Sequence, residues 1–225
     1  MLTIVLAESE LEIVPRKIIS HPSVINYSKQ YNKKRGNVIL EASFHHSAIR
    51  NLTDAERRGR PDIVHFFLLT ALESILNKEG KLKVIVHTRN NEAIYIDPDT
   101  RLMKNYIRFI GLIEQLFKRK VINYENKILL EFCENKTLEN LIKEEKHDFV
   151  ISFSPDGKKI KLLNYLKNLN KKNHKNLLCV IGGFPHGNFH NDISKFSDDV
   201  ISIFKEKLTA WSVVNELLAF FNEIF

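Results

Sequence analysis

Cysteine is nearly missing from this sequence: two occur in 225 residues, Cys133 and Cys179, far apart and each among apolar neighbours. They offer no disulfide framework and read as buried thiols of a reducing compartment. Long apolar runs are also absent, so no segment approaches a membrane span. The opening residues, MLTIVLAESELE, lack the basic flank and the length of a signal peptide, and the expectation is a cytoplasmic protein without membrane contact. Neither a Gly-x-Gly-x-x-Gly fingerprint nor a Walker-type loop occurs, which argues against a nicotinamide-dependent oxidoreductase or a triphosphate cradle. Gly-x-Ser-x-Gly and Cys–His arrangements are missing too, so covalent catalysis has no visible nucleophile. His45 and His46 are adjacent, a spacing that on a strand points them to opposite sides. No Cys or carboxylate stands at a zinc-like distance from them, so no metal is expected. Repeats, low-complexity tracts and linkers are absent. The expectation is one domain over 1–225, with an insertion within 28–60 and 88–104.

What is present is ordinary globular material, with 44% hydrophobic and 27% charged residues. Lys and Arg number 34 against 27 acidic residues, and the net charge of +7 suits a polyanionic partner. Short apolar runs predict strands at 3–6, 37–43, 82–88, 92–97, 127–132, 148–154 and 177–183. Helical patterns lie between them at 63–76, 105–119, 137–146, 160–169 and 209–225. Strands alternating with helices predict an α/β fold around a parallel sheet. The stretch SKQYNKKRG, 28–36, is polar and basic and reads as an exposed loop.

Three constellations could carry chemistry. In DAERRGRPDIVH, 54–65, Asp62 precedes a strong helix and is a candidate N-cap. A carboxylate has two oxygens, so Asp62 could also pin the guanidinium of Arg60, near Arg57 and Arg58. A pinned guanidinium suits phosphate or base-edge recognition. In TRLMKNYIRFIGL, 100–112, the offsets of Arg101, Lys104 and Arg108 put them on one helix face, if that helix begins by Arg101. A solvated face and a phosphate-tracking face are both open readings. In CVIGGFPHGNF, 179–189, a buried strand breaks into a loop with Gly182, Gly183 and Gly187. Glycines at the carboxyl end of a parallel strand allow close backbone approach to a ligand. The loop has no cation, so adenine and ribose fit it better than a triphosphate. His186 within it is a lone candidate base.

RGRPDIVH, TRLMKNYIRFIGL, IGGFPHG and VISIFKEKLTAWSVVNELL occur in an order and at separations seen in one family. The chain resembles the archaeal ribosome-biogenesis methyltransferases that modify N1 of a pseudouridine in small-subunit rRNA. The resemblance runs from IVLAESELE to the final helix. It implies a SPOUT-class α/β fold with a C-terminal trefoil knot over about 148–225, an exception to the rule against threading. It implies S-adenosylmethionine as methyl donor, with S-adenosylhomocysteine as product. By motif matching the cofactor lies against Ile151, Ser152, Phe153 and Ser154; Gly182, Gly183 and Gly187; and Ile201, Ser202, Ile203, Phe204, Leu208 and Thr209. The third segment reads EKLTA where the family usually has a Pro-Leu-Ser-Ala-like run. RNA contacts fall on Arg60, Arg101, Lys104 and Arg108, with Asp62 holding Arg60. Arg60 and Asp62 are then a substrate-orienting pair, and no side chain is an obvious base. Expected partners are small-subunit rRNA, a second copy bound through the knot region, and ribosomal proteins during assembly. The alternative is an RNA-binding assembly factor whose transferase activity is secondary or lost.

Overall fold

A computed structural model describes residues 1–225. In chain order its elements are β1 (Leu2–Ser9), α1 (Pro22–Gln30), α2 (Ala42–Ile49), α3 (Pro61–Leu72), α4 (Ile75–Lys78), β2 (Leu82–Thr88), β3 (Ala93–Ile96) and α5 (Tyr106–Arg119). There follow β4 (Val121–Tyr124), β5 (Lys127–Cys133), α6 (Leu138–Glu144), β6 (Phe149–Lys159), α7 (Leu162–Lys171), β7 (Leu177–Gly182), β8 (Asp199–Ser202) and α8 (Ala210–Ile224).

One eight-stranded sheet runs in the order β4-β5-β3-β2-β1-β7-β6-β8. The five strands β2, β1, β7, β6 and β8 pair in parallel, whereas β3, β5 and β4 form an antiparallel edge. The expected parallel sheet is therefore mixed. β2 and β3 are joined by a tight turn with no crossover helix, and so are β4 and β5, which forces antiparallel pairing there.

Strand periodicity explains the core. On β1, Leu2, Ile4 and Leu6 join one apolar cluster, beneath α3, α5, α7 and α8; Val5 and Ala7 join the other, beneath α6. On β7, Leu177, Cys179 and Ile181 face the first cluster while Leu178 and Val180 face the second. Side chains alternate across a strand, so a strand buried on both faces is apolar throughout.

Several elements differ from expectation. The apolar run at 38–40 is buried but too short and too isolated for a strand: it makes one bridge, Ile13 to Ile39. Glu41 then caps α2, its carboxylate accepting a hydrogen bond from the Ser43 N–H at 3.0 Å. His45 and His46 accordingly lie on a helix, where His45 is buried and His46 exposed. The expected loop at 28–36 begins inside α1, whose Ser28 is buried. β4 and β8 were not predicted, since four half-polar residues carry no periodic signal and only their neighbours make them strands. Cys179 is fully buried, which pushes its thiol pKa up, whereas Cys133 at the end of β5 is only partly covered.

Candidate functional site

At the end of β7 the chain turns away through residues 183–189. The Gly183 N–H donates to the Ala7 carbonyl at 2.7 Å, and the Gly183 carbonyl accepts from the Glu10 N–H at 3.2 Å. This draws the loop so close to β1 that a Cβ on Gly183 would overlap the Ser9 hydroxyl. Gly187 has φ +76°, in the left-handed region that favours glycine. Between this loop, Phe153, Ser154 and Pro155 in the middle of β6, the end of β8 and the first turn of α8 opens a cleft of about 440 Å3.

Of the positions expected to hold a cofactor, Phe153, Ser154, Gly182, Gly187, Ile201, Ser202, Ile203, Phe204, Leu208 and Thr209 line this cleft. Ile151, Ser152 and Gly183 do not. Ile151 is wholly inside the core, the Ser152 hydroxyl is hydrogen-bonded to that of Ser197 at 2.6 Å, and Gly183 is pressed against Ser9. The cleft also has walls that sequence patterning did not single out. Phe184 meets Phe189 edge to face at 5.2 Å, and Trp211 lies on the α8 side. Lys207 donates to the carbonyls of Pro185 and Gly187 at 3.2 and 3.3 Å. Burial, and then the nearby Arg57 charge, lower its pKa. The one carboxylate in the lining is the exposed Glu206. A small-molecule site of apolar walls and backbone results, with cations at Arg60 and Lys207 and no buried carboxylate.

A buried ionic lattice holds the loop. Arg57 donates through Nη1 to the Asn188 carbonyl at 2.6 Å, through Nη2 to Glu8 at 3.2 Å and through Nε to Glu10 at 3.1 Å. Its guanidinium lies 3.9 Å from the Phe184 ring centroid. The Glu8 carboxylate also accepts from the backbone N–H groups of His190 and Asn191, both at 2.8 Å. Glu10 accepts a further bond from Arg89 at 2.6 Å, and Glu12 pairs with Arg58 through both carboxylate oxygens. The sequence signal was the alternating acid run ESELE, 8–12, opposite the arginine-rich 57–60. Burying six charges is tolerable only when each is paired and hydrogen-bonded. The same lattice anchors the start of α3, because the Arg60 N–H donates to the Glu10 carbonyl at 3.1 Å.

Arg60 and Asp62 form the expected pair, Nε to Oδ1 at 2.8 Å and Nη2 to Oδ2 at 2.7 Å. The hydrogen bond to Asp62 raises the Arg60 pKa further. The expected cap is corrected: Arg60 occupies the N-cap position, and Asp62 stands inside the first turn with no capping hydrogen bond. Its carboxylate is turned to the guanidinium, each oxygen accepting one of the Arg60 hydrogen bonds, and accepts none from a backbone N–H. The expected cationic helix face is corrected too. Asn105 caps α5 by accepting the Arg108 N–H, so Arg101 and Lys104 precede the helix in irregular chain. Lys104 nevertheless comes beside Arg60 and Asp62, in a second cleft of about 500 Å3 on the same side of α3. His65 secures that segment through a 2.8 Å hydrogen bond between its Nε2 and the Met103 carbonyl. Arg101, Lys104 and Arg108 are all exposed and outside any ion pair. Arg60 lines both clefts.

A family model described as EMG1/NEP1 methyltransferase matches residues 4–222. The chain is 50% identical over 222 residues to the ribosomal RNA small subunit methyltransferase Nep1 of Thermococcus onnurineus, covering 99% of this chain and 98% of that one. It is 49% identical over 218 residues to the protein of the same name from Thermococcus sibiricus, covering 97% and 96%. Among solved structures, Archaeoglobus fulgidus Nep1 bound to S-adenosylhomocysteine superposes with a TM-score of 0.86 at 32% identity, over 99% of this chain and 97% of that one.

Proposed function

The chain belongs to the EMG1/NEP1 methyltransferase family, and from that premise we propose that it transfers a methyl group from S-adenosylmethionine to small-subunit rRNA, at N1 of a pseudouridine. The observation that carries this reading is Arg60, a guanidinium fixed by Asp62 and shared by the glycine-loop cleft and the cation-rimmed cleft.

The glycine-loop cleft suits the methyl donor. Apolar walls from Phe153, Ile201, Phe184 and Trp211 fit adenine, and the Gly187 backbone permits close approach. S-adenosylmethionine, when bound, supplies an electrophilic methyl group on a sulfonium centre. Transfer discharges that centre, so the near absence of fixed anions in the lining is consistent with the reaction. The residues' contribution is alignment and exclusion of water, which supply much of the rate in a two-substrate reaction. Phe184 and Trp211 close off solvent, and Arg60 holds the incoming nucleotide or its phosphate at the boundary of the two clefts. The nucleotide must leave its stack to get there. His186 and Glu206 line the cleft, but both are exposed and neither side chain is held by a hydrogen bond, so neither is positioned as the base and the N1 proton passes to water.

Further parts of the proposal concern assembly and setting. A second copy associates through the C-terminal region, where Phe204 at the end of β8 is 48% exposed. The C-terminal third threads as a knot, ribosomal proteins are met during subunit assembly, and the setting is the cytoplasm. No helix is long and apolar enough to cross a membrane.

The test is incubation with labelled methyl donor and two rRNA fragments that differ only in pseudouridine or uridine at the target. The N1 of uridine is already occupied by the ribose, whereas that of pseudouridine bears a hydrogen. Label should enter only the pseudouridine fragment. Equal labelling of both, or of neither, would refute the assignment.

A further inference from the structure

The second cleft contains two polar atoms without partners. Glu41 Oε2 and the Tyr106 hydroxyl are buried and make no hydrogen bond, although both residues line the cleft. Glu41 is only 7% exposed, and its other oxygen is committed to the Ser43 N–H. Buried polar groups are paired in the great majority of cases, and an orphaned carboxylate oxygen is among the costlier exceptions. Burial, together with the Glu41 and Asp62 charges, pushes the Tyr106 pKa up, so its phenol keeps its proton and remains a donor. Around these atoms stand Lys104 and Arg60, both cationic, and Phe66, an aromatic ring that is 52% exposed. An acceptor-only oxygen, a hydroxyl, an open aromatic face and two cations together match a nucleotide: base edge, base plane and phosphate.

We propose that this second cleft is a nucleobase-reading subsite, which takes a base flanking the target nucleotide, either cytosine or adenine. Glu41 Oε2 accepts from the exocyclic amino group, and the Tyr106 O–H donates to the neighbouring ring nitrogen. Carboxylates read cytosine through N4 in the same way elsewhere. Uracil would turn a keto oxygen toward the carboxylate, two acceptors facing each other. The base stacks on Phe66, and its phosphate meets Lys104 and the free edge of Arg60. Arg60 borders both clefts, so a base in the second is a neighbour along the strand of the one presented to the first. This rests on the rRNA methyltransferase reading and adds to it the determinant of sequence context.

The experiment measures binding of the pseudouridine fragment to the full chain and to Glu41→Gln and Tyr106→Phe. Each nucleotide flanking the target is first made abasic. At the position that proves sensitive, cytosine is replaced by uracil, or adenine by purine lacking the amino group. Gln keeps an acceptor for the Ser43 N–H, and Phe keeps the ring packing against His65, so both variants should fold; unchanged affinity for S-adenosylhomocysteine checks this. In the parent chain, loss of the amino group should weaken binding roughly tenfold. In Glu41→Gln the amide oxygen stays with the Ser43 N–H and the NH2 donor turns toward the base, so the preference for the amino group should vanish or reverse, with uracil or the purine lacking the amino group bound at least as well. Equal factors in parent and variant at every position, or no sensitive position, overturn the subsite while leaving the methyltransferase reading intact. A parent chain that neither binds nor methylates the fragment overturns both.

Discussion

The Arg60 guanidinium commits two of its five donors to Asp62 and keeps the rest free to receive a phosphate or a base edge. Each side chain of the pair is about a third exposed, so the interaction should contribute only roughly 0.2–1 kcal/mol to stability. Asp62→Asn should therefore lower the melting temperature slightly but weaken RNA binding severalfold, because the freed guanidinium loses its fixed orientation. Calorimetry and fluorescence anisotropy on the same preparation would check this; a large thermal loss with unchanged RNA affinity would contradict it. His45 makes a second residue-scale case. Burial depresses its pKa to about 4, and its Nδ1 accepts the Glu41 N–H at 3.1 Å. The unfolded chain takes up that proton near the ordinary histidine value of about 6.5, while the folded chain resists it until about pH 4. The unfolded state thus binds more protons across this window, and stability falls as pH drops through it. The loss is on the order of 2–3 kcal/mol. His45→Gln should flatten the fall relative to the parent, as urea unfolding at pH 7 and pH 4.5 would reveal.

At the scale of elements, the glycine loop is held by geometry that a single methyl group would disturb. Gly183→Ala should cost about 1–3 kcal/mol through overpacking against Ser9 and should loosen binding of S-adenosylhomocysteine. Pairing it with Ser9→Gly removes the hydroxyl and Cβ but leaves the Ser9 Cα 2.8 Å away, so it should restore only part of both, and an additive double variant would contradict the close approach as cause. Most elements were legible in the sequence because periodicity is a local property. β2 lies at 82–88 as expected, and α6, α7 and α8 each begin within two residues of expectation. The failures are equally instructive. Val38, Ile39 and Leu40 have strand composition but find no ladder. The helix expected at 105–119 does run Tyr106–Arg119, but its cap at Asn105 leaves Arg101 and Lys104 outside it, so the condition for a shared cationic face is not met. A polar residue that competes for backbone N–H groups fixes such a boundary to the residue. The same competition, resolved the other way, made Asp62 a partner of Arg60 instead of a cap.

For the whole molecule, the net charge of +7 predicts salt-sensitive RNA binding, and the placement of the charge says which residues carry it. The internal arginines Arg57, Arg58 and Arg89 are consumed by Glu8, Glu10 and Glu12, so they contribute nothing to a phosphate surface. Arg101, Lys104 and Arg108 remain free. Lys104→Ala should weaken binding to all fragments alike and reduce the slope of log affinity against log salt by about 0.7, the single-strand value per phosphate contact. An unchanged slope would remove Lys104 from the RNA track. The sequence by itself determined the α/β class, both core-facing patterns and the family resemblance, since each is written in short-range spacing and motif order. Only the tertiary structure decided which cations are free, which glycine meets β1, and that Glu41 and Tyr106 share a cleft with Arg60. Those facts depend on residues far apart in the chain being brought within a few ångströms. Burial then sets the cost of leaving any of their polar atoms unpaired, and no local pattern encodes that.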